Sequence, residues 1–286
     1  MKLSVVIPAY QEEKAIGEVL SGVIDTLKGQ DFSWEIIVVD DASEDDTARI
    51  VESFPEVRLI RHPYNMGGGQ ARNTGIRAAS GDVVVITDGD GTYPVQDIPR
   101  LVQELEGCDM VVGARIREAG SLKFLRVPAK FFIRKLAEFI SGSRIPDLNS
   151  GMRAFKREAA LPYLHMLPHG HSWVSTITLA FLNNGHAVKY VPIDYYPRKG
   201  KSTFHPIRDT WSYIMTIFRT MAWFNPLKIF LPLAALLLIT GFGKLIADVL
   251  RYDWHVTSST VVLLLGGLQV FVLGLIADMI AKRSSL

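Results

Sequence analysis

Short runs of branched apolar residues alternate along the first part of the chain with longer stretches in which apolar positions recur every three or four residues. The runs at 3–7 (LSVVI), 36–39 (IIVV), 57–60 (VRLI), 83–87 (VVVIT) and 110–112 (MVV) show little polar alternation, as expected of strands buried on both faces. Between them, 12–28, 45–53, 69–79 and 95–106 carry helical spacing. Ser43 followed by EDDTARI predicts a helix start with acids in its first turn. This alternation predicts an α/β fold with a mostly parallel sheet flanked by helices.

The tail follows another pattern. Segments 229–250 and 256–277 are each 22 residues long, and the second holds no formal charge. Crossing a bilayer takes about 20 apolar residues, so the pair predicts a transmembrane hairpin with a short turn. Lys244 and Asp248 lie four apart near one end and predict a pair or a snorkelling lysine. Arg219 and Lys228 precede the hairpin and Lys282 and Arg283 follow it, which predicts both outer ends, and the preceding domain, on the cytoplasmic side. Residues 206–224 are amphipathic and suit either a membrane surface or core packing. In 122–140, Lys123, Arg126, Lys130, Arg134 and Lys135 interleave with large apolar residues, which fits anionic headgroups or a solvated helix face. The predicted division is 1–205, 206–225 and 226–286.

Composition narrows this further. Net charge is +2, so no global case for nucleic-acid binding exists. The single cysteine, Cys108, excludes an intrachain disulfide. The N-terminal apolar run is too short for a signal peptide. The seven histidines have no metal-ligand spacing, so no structural zinc is expected.

In parallel sheets ligands bind beyond the carboxyl ends of the strands. Here those ends carry Pro8-Ala9-Tyr10, Asp40-Asp41, Asp88 with Asp90, and Gly113-Ala114-Arg115. Two carboxylates two residues apart repel unless a positive charge lies between them. Asp88 and Asp90 therefore suit Mg²⁺ or Mn²⁺, a hard cation that takes substrate phosphates as further ligands.

The stretches VVIPAYQEE (5–13), IIVVDDASEDDT (36–47), NMGGGQARNTGIRAASGD (65–82) and DGDGTYP (88–94) resemble family 2 glycosyltransferases of GT-A fold. PDLNSGMRAFKRE (146–158) and the two apolar spans resemble the dolichol-phosphate mannose synthase and polyprenyl-phosphate glycosyltransferase branch. The resemblance implies an inverting transfer of one sugar from a UDP- or GDP-sugar to a polyprenyl or dolichyl phosphate. By position it implies that Pro8, Tyr10 and Glu12 line the base and ribose, with Asp40 bonded to the base or ribose and Asp41 nearby. It gives Asp88 to the ribose and diphosphate and Asp90 to the metal. Arg115 then lies near the donor or acceptor phosphates, Asp147 to Gly151 surround the acceptor, and Arg198 and Lys201 belong to a basic loop over the diphosphate. Asp147 is a candidate base or a turn residue after Pro146. Thr92 departs from the branch, where Gln is common. A processive polysaccharide synthase is disfavoured because no QxxRW occurs. Another membrane acceptor, or an inactive scaffold, are the alternatives. Gly241, Gly243, Gly266 and Gly267 suit helix packing between protomers of a homo-oligomer.

Overall fold

The computed structural model describes residues 1–115, 134–139, 141–170, 172–198, 215, 218–219, 222–223, 225–251 and 256–284. The described chain forms two compact units, Met1–Thr216 and Ile217–Leu286.

The first unit is built on a seven-stranded sheet of order β3-β2-β1-β4-β6-β5-β7. Its strands are β1 (Lys2–Ala9), β2 (Ser33–Asp40), β3 (Val57–Arg61), β4 (Val83–Ile86), β5 (Met110–Arg115), β6 (Arg153–Lys156) and β7 (Val188–Ile193). Among the described strands only β6 runs against the rest, antiparallel to both β4 and β5. The five expected strands all form. The short β6 and the alternating β7 are additions that apolar runs did not reveal.

Helices cover both faces. On one face α1 (Ile16–Lys28), α2 (Thr47–Glu52) and α4 (Ile98–Gln103) pack on Leu3, Val5, Ile7, Ile36 and Val38. On the other, α3 (Gly68–Ala78), α5 (Arg157–Ala160) and α6 (Trp173–Asn183) pack on Val6, Ile37, Val39, Val84 and Phe155. Helix α1 buries Ile16, Val19, Leu20, Val23, Ile24 and Leu27, the three-and-four spacing read in the sequence. Every residue of α6 from Trp173 to Phe181 is buried, so it has no polar stripe. Gly75 lets α3 lie close on β1, because a Cβ there would meet Val6 Cγ1 at 2.3 Å.

One local expectation is corrected. Helix α2 starts at Thr47 and has no acid in its first turn. Ser43 instead ties two strand ends together: its Oγ accepts from the Gln11 amide at 3.0 Å and its own amide donates to Asp40 Oδ1 at 3.2 Å. Gln11 and Ala42 sit just past β1 and β2 with φ of 58° and 62°. Left-handed backbone at non-glycine residues costs free energy and clusters at functional edges.

The second unit contains α7 (Leu227–Arg251) and α8 (Ser258–Ser284). Both are long and apolar enough to cross a membrane, with mean hydropathy 2.1 and 2.4. A Cβ at Gly241 would meet Leu264, one at Gly267 would meet Leu238, and one at Gly274 would meet Phe230, all under 3 Å. Gly241 and Gly267 thus serve packing inside the hairpin, while no atom lies within 4 Å of a Cβ at Gly243 or Gly266. Lys244 Nζ pairs with Asp248 Oδ1 at 3.2 Å. Asp248 Oδ2 also accepts from the Thr257 amide and the Thr257 and Thr260 hydroxyls, which joins the two helices at the turn. Most of the amphipathic segment 206–224, and Lys123, Arg126 and Lys130, lie outside the described residues.

Candidate active site

Because β1, β2, β4, β5 and β7 run parallel, their carboxyl ends share one edge of the sheet. The reversed β6 brings its own start, and the 147–152 loop before it, to that same edge. Candidates from six sequence regions therefore meet there.

The β4 end carries the carboxylates. Asp90 is 7% exposed. Its Oδ1 accepts from the Thr92 amide at 3.1 Å and the Thr92 hydroxyl at 2.7 Å. Thr92 thus orients Asp90 through a hydroxyl. Burial, and then the neighbouring Asp88 charge, raise the Asp90 carboxyl above its usual range. Asp88 is more open, and its Oδ1 accepts from Arg72 Nη2 at 2.6 Å. Gly151 closes on Asp88 from the other side: a Cβ there would stand 2.6 Å from Oδ2. Tyr93, buried and raised by that burial, accepts from the Gly151 amide at 2.6 Å. The backbone before β6 is thereby pinned between Asp88 and Tyr93.

Glu12, beyond β1, is buried and bound by Arg198 Nη2. Burial pushes its carboxyl up to about 7, against the attraction of Arg198 and with the repulsion of Asp90. Arg198 Nε also lies 3.5 Å from Asp90 Oδ2. Pro8 and Tyr10 flank the same strand end, both partly exposed. Lys201 lies outside the described residues.

Asp40 and Asp41 take different surroundings. Asp40 is fully buried at the end of β2, with Oδ2 3.4 Å from Arg61 Nε. Asp41 holds the loop before α3: it bonds His62 Nδ1 at 2.7 Å and accepts from the Met66 and Gly67 amides. His62 Nε2 reaches Thr74 Oγ1 at 2.9 Å. The glycine run that follows meets protein backbone. The Gly69 and Gln70 amides both donate to His169 O, and a Cβ at Gly69 would meet Pro168 O at 2.3 Å.

Arg115 and Asp147 form a two-pronged pair, Nε to Oδ2 at 2.7 Å and Nη2 to Oδ1 at 2.9 Å. The Asn149 amide donates to Asp147 Oδ1 as well, so Asp147 also shapes the turn. Burial alone would raise its carboxyl, but Arg115 holds it below the ordinary range, where it accepts protons poorly. Arg115 stands over the Tyr195 ring at 5.2 Å, and Tyr195 meets Tyr93 edge-on.

Sequence reasoning passed over Arg72, Tyr93, Tyr195, Arg153 and Trp173. Arg153 is fully buried, and its Nη1 donates to Val174 O at 2.9 Å and Thr178 Oγ1 at 3.0 Å, its Nη2 to Ser150 O. Arg72 and Arg153 lie over the Trp173 ring at 5.8 and 6.0 Å. Arg72 was visible inside NMGGGQARNTG, but its link to Asp88 depends on how α3 crosses the sheet.

Among the described residues no cluster of three acids, histidines or cysteines forms a closed metal cage. The donor set still fits a hard divalent cation. Asp88 and Asp90 crowd one strand end, and burial followed by the Asp88 charge raises the Asp90 carboxyl, a cost to its ionised form that a bound cation would offset. Such ions use one or two carboxylates and complete their shell with phosphates and water.

Comparison with known proteins identifies the family and the fold. The family model "Glycosyl transferase family 2" matches residues 4–163, and "GtrB C-terminal hairpin" matches residues 225–282. The chain is 32% identical over 174 residues to a dolichyl-phosphate beta-glucosyltransferase of Trichomonas vaginalis, which covers 54% of this chain and 52% of that protein. It is 28% identical to the dodecaprenyl-phosphate galacturonate synthase of Rhizobium johnstonii over 99% of this chain and 88% of that protein. Its fold is similar to that of glucosyl-3-phosphoglycerate synthase from Mycobacterium tuberculosis, solved with Mn²⁺, UDP and phosphoglyceric acid. The TM-score is 0.63 at 23% identity, covering 77% of this chain and 78% of that one.

Proposed function

We propose that this chain, which belongs to glycosyl transferase family 2, moves one sugar from a nucleotide sugar to a polyprenyl or dolichyl phosphate at a membrane surface. The observation that carries the reading is the sheet edge where Asp88 meets Arg72, Asp90 faces Arg198 and Asp147 pairs with Arg115, in a chain that continues into an apolar hairpin. The likeness to relatives named for dolichyl and dodecaprenyl phosphate supports the acceptor class.

A phosphate monoester is largely ionised near neutral pH. Its oxygen attacks the anomeric carbon, forming the new C–O bond while the sugar's bond to the nucleoside diphosphate breaks and the configuration inverts. The attacking oxygen has no proton to lose, so the protein supplies position and charge rather than a base. In this reading Asp147 orients Arg115, and Arg115 receives an acceptor or donor phosphate in a planar two-pronged contact. Pro8, Tyr10, Glu12 and Asp40 line the base and ribose, with Asp41 shaping the neighbouring loop. Arg198 and Lys201 serve the diphosphate. Mg²⁺ or Mn²⁺, held by Asp90 with Asp88, would neutralise charge on the diphosphate leaving group. The basic residues outside the hairpin favour both its ends, and the site, on the cytoplasmic face.

The acceptor is tested by offering purified protein in detergent one labelled donor at a time, across UDP- and GDP-sugars, with polyprenyl phosphate, the corresponding polyprenol, or diacylglycerol. Labelling of the phosphate lipid alone is expected. Equal labelling of the polyprenol would overturn the phosphate-acceptor reading.

A further inference from the structure

Arg198 is bound to the carboxylates that the reading above assigns to donor and metal. Its Nη2 donates to Glu12 Oε1, and its Nε faces Asp90 Oδ2 at 3.5 Å. Thr92 engages the other Asp90 oxygen, Oδ1, twice, which leaves Oδ2 as the oxygen for a ligand. That is the oxygen the guanidinium faces. The Nε is buried without a hydrogen-bond partner, so this contact is electrostatic and open to replacement. The backbone leading to Arg198 is anchored, since the Tyr196 amide donates to Thr92 O at 2.9 Å and Tyr195 packs on Tyr93. The arginine is therefore carried at a fixed reach from the Asp90 segment, with a long side chain that can swing.

We propose that Arg198 is an internal counter-ion at Asp90, so that a divalent cation binds well only together with the donor's diphosphate. The inference rests on the reading that Asp90 holds the metal. A cation at Oδ2 would stand against the guanidinium, and like charges this close oppose each other strongly where water is scarce. A nucleoside diphosphate changes the balance. Its oxygens give Arg198 a charge-assisted partner better matched than its divided contact with Glu12 and Asp90. Arg198 then leaves Oδ2, and metal and diphosphate enter as one unit. The metal-free site stays neutralised, and metal without donor is held off.

The test is Mn²⁺ binding to the full-length protein in detergent, read from the electron paramagnetic resonance signal of free Mn²⁺, with and without UDP or GDP. Arg198→Met, Arg198→Gln and Arg198→Lys are compared with Asp90→Asn, and thermal unfolding of each metal-free variant checks folding. The two neutral variants should bind Mn²⁺ alone about tenfold more tightly than wild type, while Arg198→Lys stays close to wild type. UDP or GDP should tighten Mn²⁺ binding about tenfold in wild type and much less in the neutral variants. If wild type binds Mn²⁺ with nucleotide through Asp90 but both neutral variants bind Mn²⁺ alone no better than wild type, the counter-ion role is wrong and the metal site stands. If Asp90→Asn binds like wild type, or no Mn²⁺ binds in any condition, the metal reading fails and the inference with it.

Discussion

Burial pushes the Glu12 carboxyl from an ordinary 4.5 up to about 7, so the folded protein holds that proton more tightly than the unfolded chain does. Stability from this group is full below about 4.5 and is lost as pH rises through about 7. In EDTA, wild type should lose thermal midpoint relative to Glu12→Gln between pH 4.5 and 8; a constant difference across that range would contradict the raised value. At Asp147 the direction is reversed: Arg115 keeps the group ionised despite burial. Asp147→Asn should lower transfer by about 10²-fold through misplacement of Arg115, with no shift in the acidic limb of the rate profile. A lost acidic limb would restore Asp147 as a base. The sequence exposed these residue types and their common edge. It could not report that Asp147 is spent on Arg115, because that pairing joins β5 to a loop 32 residues later.

Elements were legible where pattern and burial coincide. Strands β1, β2 and β4 announce themselves as unbroken apolar runs because both faces are covered, whereas the edge strand β3, VRLIR, has no fully buried residue. Strand β6 did not, since RAFK holds a fully buried arginine and only four residues. Helix α6 was hidden for another reason: WVSTITLAFLN is rich in β-branched residues and buried on all sides, so it shows no helical stripe. The glycine run that opens α3 has the 168–169 backbone as its close neighbour. Gly69→Ala should therefore destabilise by about 1–3 kcal/mol in chemical or thermal unfolding, and Gly170→Ala, which meets nothing within 4 Å, should not. In the hairpin, Gly267→Leu should lower thermal stability in detergent while Gly266→Leu is tolerated; equal effects would remove the assigned packing face.

For the molecule as a whole, the apolar helices and the sheet-based unit were both evident from hydropathy, because a bilayer and a buried sheet impose different lengths on apolar runs. The sidedness proposed above rests on flanking charge alone. In a Cys108→Ser background, Ser285→Cys should react with an impermeant maleimide only from the cytoplasmic side, and Val256→Cys only from the opposite side. The reverse pattern would contradict the orientation. The central claim, a glycosyl transfer to a lipid phosphate that depends on Asp90, is tested most directly by following labelled sugar from a UDP- or GDP-donor into polyprenyl phosphate with Mn²⁺, with EDTA, and with Asp90→Asn. The account predicts a labelled lipid with Mn²⁺ and wild type, and a loss of at least about 10²-fold in the other two arms. Undiminished labelling in EDTA or with Asp90→Asn would contradict it.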